Sequence, residues 1–231
     1  MEHKQLQLQP RLRMLARLVP EGCRLTDVGT DHGYLPVSLL QQGKITAAIA
    51  SDIGAEPLEH ARRTAEEYGV TGISLRLCAG LAAVAPEETD VIVIAGMGGE
   101  TIITILSDAP WTKDERHALL LQPMTKATEL RRWLADNGYT FTAEHLVEDK
   151  GRIYPILCVQ GGAYRPLTEA EALCGVLLDA DPLYGAYLTE HIKKLRRWAE
   201  GLRRSSDPDA AGQAAQVDAM ADELEQKRCK V

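Results

Sequence analysis

Four short blocks hold the residues best placed to do chemistry. The first is Asp27-Val28-Gly29-Thr30-Asp31-His32-Gly33-Tyr34. It spells G-x-D-x-G where a dinucleotide-binding turn would spell G-x-G-x-x-G. A carboxylate inside such a turn repels a pyrophosphate and attracts a cation, such as the ammonium and sulfonium of S-adenosylmethionine (SAM). Asp27, Gly29, Asp31 and Gly33 are therefore the expected contacts, with a turn cap the alternative for Asp27. The second block is Asp52 with Ile53 beside it. An acid about 20 residues beyond a glycine turn matches the two hydroxyls of a ribose, though Asp52 also suits the start of a helix. The third is Cys78-Ala79-Gly80-Leu81, where backbone at Ala79 and Gly80 would read an adenine edge unless the segment is an ordinary turn. The fourth is Ala95-Gly96-Met97-Gly98-Gly99, whose clustered glycines mark close approach of a ligand or unusual dihedrals. A flexible or phosphate-binding turn ahead of a helix is the bland reading of this block. Gly96, Met97 and Gly98 are the expected meeting place of donor and acceptor. His32 and Tyr34 flank the first turn as candidate base and candidate stacking or donor group. Gln122-Pro123 lies on the same rim, where its amide is a candidate base contact.

These blocks need a scaffold that brings loop ends together. Apolar strands are predicted at Leu25–Val28, Ala47–Ser51, Ser74–Leu77, Val91–Ala95 and Leu119–Leu121. Helices are predicted between them, at Leu35–Gln42, Glu56–Glu67, Glu100–Ser107 and Thr128–Asn137. Alternation of this kind builds a parallel sheet covered on both faces, with ligand loops at the carboxyl ends of the strands. The run Val91-Ile92-Val93-Ile94 suits a central strand. Two further strands, Tyr139–Glu148 and Arg152–Gln160, flank a Glu148-Asp149-Lys150-Gly151 turn and form an antiparallel hairpin. Pro155 must then sit near a strand start or a bulge. An amphipathic helix is expected over residues 6–19. After Gly161-Gly162 the chain turns helical, and Leu188, Ile192, Leu195, Ala199 and Leu202 answer Val217, Met220, Ala221 and Leu224 in a helical hairpin.

The 231 residues are 45% apolar and 26% charged, with a formal charge of −7, an ordinary globular composition. No apolar run approaches the roughly 20 residues that span a bilayer, and no signal peptide is evident at the start. Five scattered cysteines without a C-x-x-C pair read as reduced thiols of a cytoplasmic protein. A net acidic charge argues against a nucleic-acid partner, but Arg11, Arg13 and Arg17 cluster near one end, and Lys193, Lys194, Arg196, Arg197, Arg203 and Arg204 near the other. These local basic faces are the candidate polyanion contacts.

Asp27 through Pro36, Asp52, Gly80-Leu81, Ile94 through Gly99 and Leu121 through Pro123 occur in the order found in bacterial tRNA (adenine-22-N1)-methyltransferases, and the chain resembles that family along essentially its whole length. Arg131-Arg132-Trp133-Leu134, Asn137-Gly138-Tyr139 and the helical tail also look similar. The resemblance implies an α/β, Rossmann-like class I methyltransferase fold, with a seven-stranded, mostly parallel sheet, a terminal antiparallel hairpin and a C-terminal helical hairpin. It implies a SAM-binding catalytic domain over 1–164 and a tRNA-holding extension over 165–231. It further implies methylation of adenine N1 with S-adenosylhomocysteine as co-product, and no metal. A monomer, with Arg11, Arg13, Arg17, Lys193, Lys194, Arg196 and Arg197 on the RNA, completes the expectation. Competing readings are a SAM-dependent enzyme on another substrate and a non-catalytic RNA-binding protein on a relic fold. A nicotinamide-dependent oxidoreductase is disfavoured by Asp31 and by the terminal hairpin.

Overall fold

The computed structural model describes residues 5–230. Strands β1 (Arg24–Val28), β2 (Ala47–Asp52), β3 (Ile73–Leu77), β4 (Val91–Gly98), β5 (Ala118–Thr125), β6 (Tyr139–Asp149) and β7 (Arg152–Gly161) form one sheet in the order β3-β2-β1-β4-β5-β7-β6. The first five strands pair in parallel, and β7 runs antiparallel between β5 and β6. Helices α1 (Pro10–Leu18), α2 (Tyr34–Gln41), α3 (Ala55–Glu67), α4 (Gly99–Asp108) and α5 (Ala127–Asp136) cover its two faces. The predicted elements are present, with strand ends extended where backbone pairing continues past the apolar residues. Val91, Ile92, Val93 and Ile94 are all buried: Val91 and Val93 pack with Leu25, Leu120 and Ile156 on one face, and Ile92 and Ile94 with Leu119, Leu121 and Leu157 on the other. Pro155 pairs with Leu146 and precedes the stretch Leu157–Val159 that pairs with β5, so its missing N–H leaves that ladder intact.

The helix expected over residues 6–19 begins only at Pro10. Gln9, the residue before it, is extended at φ −62° and ψ 159°, because a proline ring disfavours helical backbone in its predecessor and suits the first helical position. Leu6 and Leu8 are buried all the same, as part of an extended strap. Leu6 packs on Val37 and Ala65, and its N–H donates to the Gln41 side chain at 3.1 Å.

Beyond the sheet lie α6 (Glu169–Cys174), α7 (Tyr184–Arg203) and α8 (Ala210–Arg228). Helix α6 opens with a capping box: Thr168 accepts from the Glu171 N–H, and the Glu171 carboxylate accepts from the Thr168 N–H. Leu188, Ile192, Leu195 and Ala199 of α7 share one buried cluster with Val217, Ala221 and Leu224 of α8, as their spacing predicts, and that cluster reaches Leu146 on β6.

A fully buried ion pair fastens this tail to the sheet. Arg131 on α5 donates from Nε to Glu144 on β6 at 2.8 Å, and both side chains have no exposed surface. Glu144 also accepts the N–H groups of Val176 and, at 2.9 Å, Leu177, while Arg131 Nη1 reaches the Ala172 and Leu173 carbonyls at 3.3 and 3.4 Å. Arg131 reads in sequence as a solvated helix charge; burial comes from α6 closing over it. Removing one member of such a pair strands the other in apolar surroundings at a cost of about 3–5 kcal/mol. Arg131→Met is expected to lower unfolding free energy by about that amount in urea denaturation. Adding Glu144→Gln should recover part of the loss, since a neutral amide still accepts the Val176 and Leu177 N–H groups.

Candidate active site

Chain connections leave β1 toward one side of the sheet and β4 toward the other, so the carboxyl ends of these neighbours flank a crevice. The crevice is a cavity of about 780 Å³, within the range of small-molecule sites. Gly29, Asp52, Ile53, Ala79, Gly80, Ala95, Gly96 and Met97 line it, eight of the residues predicted from sequence. Asp27, Asp31, Gly33, His32, Tyr34 and Gly98 do not line it.

The first turn is pinned to β2: the Gly29 and Thr30 N–H groups both donate to the Ser51 carbonyl, at 2.8 and 3.1 Å. Gly29 has φ +70°, and a Cβ there would overlap the Met97 methyl. Asp27 lies behind the turn, 6% exposed, where its carboxylate accepts the Thr30 hydroxyl at 2.6 Å. It is thus the internal cap of the turn. Burial is the main reason its carboxyl is pushed up to about 6; the Thr30 hydrogen bond opposes the rise and the nearby Asp52 charge adds to it. Gly33 is needed for packing: with φ +67°, a Cβ would come within 2.9 Å of Ala61 Cβ on α3. Asp31 points outward, its side chain 69% exposed.

Asp52 lines the cavity and also braces the start of α3. Its Oδ1 accepts the Gly54 N–H at 2.9 Å, ordering the entry to α3, and Oδ2 lies 3.5 Å from the Asp31 N–H. Ile53 beside it is held 80% exposed at the cavity mouth. Across from it, the Ser51 hydroxyl donates to the Gly80 carbonyl at 3.1 Å, and Gly80, at φ +54°, backs onto Ile105 of α4.

The glycines of the fourth block separate by function. The ladder between β4 and β5 slips at Gly96, so that Ala95 faces Gln122 while Met97 faces Pro123. Gly96 adopts φ +77° at this bulge, the kind of irregularity that re-aims a strand beside a site. Its N–H donates to Gln122 Oε1 at 3.3 Å. Gly98 has ordinary backbone, whereas a Cβ on Gly99 would collide with the Lys126 carbonyl oxygen. Gly99 therefore serves helix packing. Glu100, Thr104 and Asp108 line the cavity from one face of α4. Sequence reasoning passed over them; their four-residue spacing as a polar stripe is the signal that could have found them.

His32 is stacked between Tyr34 and His60, at centroid distances of 5.1 and 4.7 Å with planes within 7° and 6°. Asp31, His32 and His60 bring donor atoms within 4.8 Å of one another. Ring nitrogens bind metal in the ring plane, and two parallel planes do not converge on one ion, so this stack is shaped for ring contact. The basic residues also divide. Arg11 is drawn into the rim of the sheet by Asp149, at 2.7 Å. Arg13 donates to the Leu8 carbonyl, and Arg17 is exposed. Arg196 is held by Asp218, Asp222 and Glu225 of α8, at 3.0, 2.5 and 3.3 Å, and Arg203 by Asp218. Arg11 and Arg196, two of the expected polyanion contacts, are thus paired with carboxylates remote in sequence that fold against them. Lys193, Lys194 and Arg197 are exposed, as is Trp198, at 57%.

An acid- and glycine-lined crevice on this strand order, closed by an antiparallel hairpin, defines a class I methyltransferase, and a family profile described as a methyltransferase domain matches residues 8–157. A Bacillus subtilis protein named tRNA (adenine(22)-N(1))-methyltransferase is 32% identical over 204 residues, 87% of this chain and 84% of its own. The structure of Streptococcus pneumoniae Sp1610 in complex with S-adenosyl-L-methionine superposes with a TM-score of 0.81 at 31% identity, covering 94% of this chain and 98% of that one. M. capricolum TrmK in complex with S-adenosyl-homocysteine gives a TM-score of 0.80 at 26% identity, covering 97% and 99%. The chain belongs to the tRNA (adenine-22-N1)-methyltransferase family.

Asp27 has a measurable signature. Its carboxyl is pushed from an ordinary 3.8 to about 6 in the folded protein. Below about pH 4 it is neutral in both folded and unfolded chains, and burial costs nothing. As pH rises through 6 the folded state must bury the charge, so stability falls. A shift of about two units corresponds to about 3 kcal/mol. Wild type is expected to lose about that much stability relative to Asp27→Asn between about pH 4 and pH 7, read from urea denaturation at each pH. A difference that does not change with pH would remove the buried-cap assignment.

Proposed function

We propose that this chain transfers a methyl group from SAM to N1 of adenine 22 in tRNA, with S-adenosylhomocysteine as co-product. The observation that carries the reading is the match, along most of both chains, to a relative named for that reaction, in a chain whose matching blocks form one cleft. The donor set suits a cationic adenosine derivative. Asp52 offers carboxylate oxygens to a diol, Ala79 and Gly80 offer backbone, Ile53 offers an apolar face, and Glu100 and Asp108 add negative charge. Of the predicted contacts that lie outside the cavity, Asp27 braces the turn from behind, Gly33 packs it on α3, Asp31 faces solvent, and His32 and Tyr34 stack at its edge.

When bound, SAM supplies an electrophilic methyl on a sulfonium. Adenine N1 carries an in-plane lone pair, so no proton has to be removed from it before attack. The residues therefore act by alignment and exclusion of water, and a strong base is not required. Gly96 and Met97 form the wall against which the base is set, where the missing side chain of Gly96 allows close approach, and Gly98 lies behind it. Because N1 lies on the pairing edge, adenine 22 must leave its stack to enter.

Residues 1–164 carry the chemistry in this reading, and 165–231 hold the RNA. A second cleft of about 640 Å³ runs between the sheet and α7, lined by Pro123 and Tyr154 on one side and Lys194 on the other. The α7 surface continues outward through Arg197 and Trp198, cations beside an aromatic face, which suits phosphate and an unpaired base. A tRNA-modifying role places the protein in the cytoplasm; among the described residues no helix is long and apolar enough to cross a membrane.

Incubation with labelled SAM and bulk tRNA is expected to place label in ribonuclease-sensitive material, mapping to N1 of adenine 22. Absence of label in tRNA would reject the reading. Asp52→Ala should weaken SAM binding by about tenfold, the scale of one lost charged hydrogen bond, in calorimetry. Charge reversal of Lys194 and Arg197 together should raise KM for tRNA, most strongly at low salt, and leave SAM affinity unchanged.

A further inference from the structure

Arg11 is placed by α1 at the rim of the sheet, far from its sequence neighbours in role. Its guanidinium faces two ways. Nε donates to Asp149 Oδ2 at 2.7 Å, and Nη1 donates to Gln122 Oε1 at 2.9 Å. The same Gln122 oxygen accepts the Gly96 N–H at 3.3 Å, and the Gln122 amide nitrogen donates to the Pro123 carbonyl at 3.0 Å. Gln122 has no exposed surface, so its amide has no water to turn toward. Arg11 thus determines which end of that amide meets Gly96: only an oxygen can accept from both donors. A Cβ on Gly96 would lie 3.9 Å from Arg11 Nη1, with no other heavy atom nearer.

We infer that Arg11 is a positioning residue of the methyl-transfer site, which through Gln122 fixes the Gly96 bulge against the incoming base. The inference rests on the reading given under Proposed function. It replaces the expectation that Arg11 contacts RNA backbone. Asp149 has a matching task. It is 6% exposed and neutralises the guanidinium beside a centre where the base becomes cationic, a charge that an unpaired arginine would oppose. Orientation is the currency of a reaction that needs no base, and displacement of a reacting group by about 1 Å can cost about 100-fold in rate.

The two roles of Arg11 separate kinetically. A phosphate contact is served by any cation, whereas bridging Gln122 and Asp149 needs the two-directional guanidinium. Arg11→Ala and Arg11→Lys are compared with wild type for kcat and KM on tRNA, SAM affinity by calorimetry, and exchange of the Gly96 amide by NMR. The expected result is a kcat lowered by about 10- to 100-fold in Arg11→Ala, with KM and SAM affinity within about twofold. Arg11→Lys should remain impaired, and the Gly96 amide should exchange faster in both. Restoration of wild-type kcat by lysine, or a raised KM at unchanged kcat, would overturn the inference. If wild type itself fails to methylate tRNA, the functional reading falls, and the Gly96 amide then decides the positioning role alone: faster exchange supports it, and unchanged exchange overturns it.

Discussion

Parallel pairing of β1 with β2 on one side and β4 on the other is the constraint from which the rest follows. The register sets Val28 beside both Ser51 and Ile94, so the pairing of β1 with its two neighbours ends at one level, while β4 continues to Gly98 against β5. Whatever follows each strand is then delivered to the same edge. Gly29, Asp52 and Gly96 become neighbours because each lies just past that level on its own strand, and Gly80 joins them through β3. A crevice opens there because the connections from β1 and β4 diverge to opposite faces. Both layers of apolar packing exist to hold this one edge in register.

Most charged side chains face solvent, and the few drawn inside or to the rim do structural work. Asp27 is buried to brace a turn, Arg131 and Glu144 to seat the tail, and Arg11 and Asp149 to hold a bulge. Such arrangements are expensive to desolvate and are poor sources of net stability. Their value is geometric, since each has few alternative partners. Along α7 the division is equally clear. Arg196 and Arg203 join the two helices of the tail, which leaves Lys193, Lys194 and Arg197 as the exposed cations of α7 outside those ion pairs. A chain of net charge −7 can therefore present a basic surface where its acids are turned to structural use.

Much of this was legible in the linear chain, and the exceptions share a cause. Ile92 and Val93 announce a strand buried on both faces because every position is apolar. Leu188, Ile192, Leu195 and Ala199 announce a helical seam because their spacing follows the helical turn. The cleft-lining blocks were found because each is a glycine or an acid directly after a predicted strand. Gly29, Gly33 and Gly99 looked alike, yet one meets Met97, one meets Ala61 and one meets the Lys126 carbonyl. A missing side chain records that something is close and says nothing of what. Leu6 and Leu8 fitted a helical period by coincidence, and Pro10 decided the boundary.

By itself the sequence determined the order of elements, the fold class and the four loops that carry chemistry, because periodicity and turn residues act over a few positions along the chain. Tertiary structure alone decided which acid lines the cavity and which braces it from behind, and which arginines face solvent. Those outcomes depend on partners such as Asp149 for Arg11 and Glu144 for Arg131, brought together across the chain by strand register and helix packing. Solvation and Coulomb interactions are set by distance in space, and local pattern carries no measure of it.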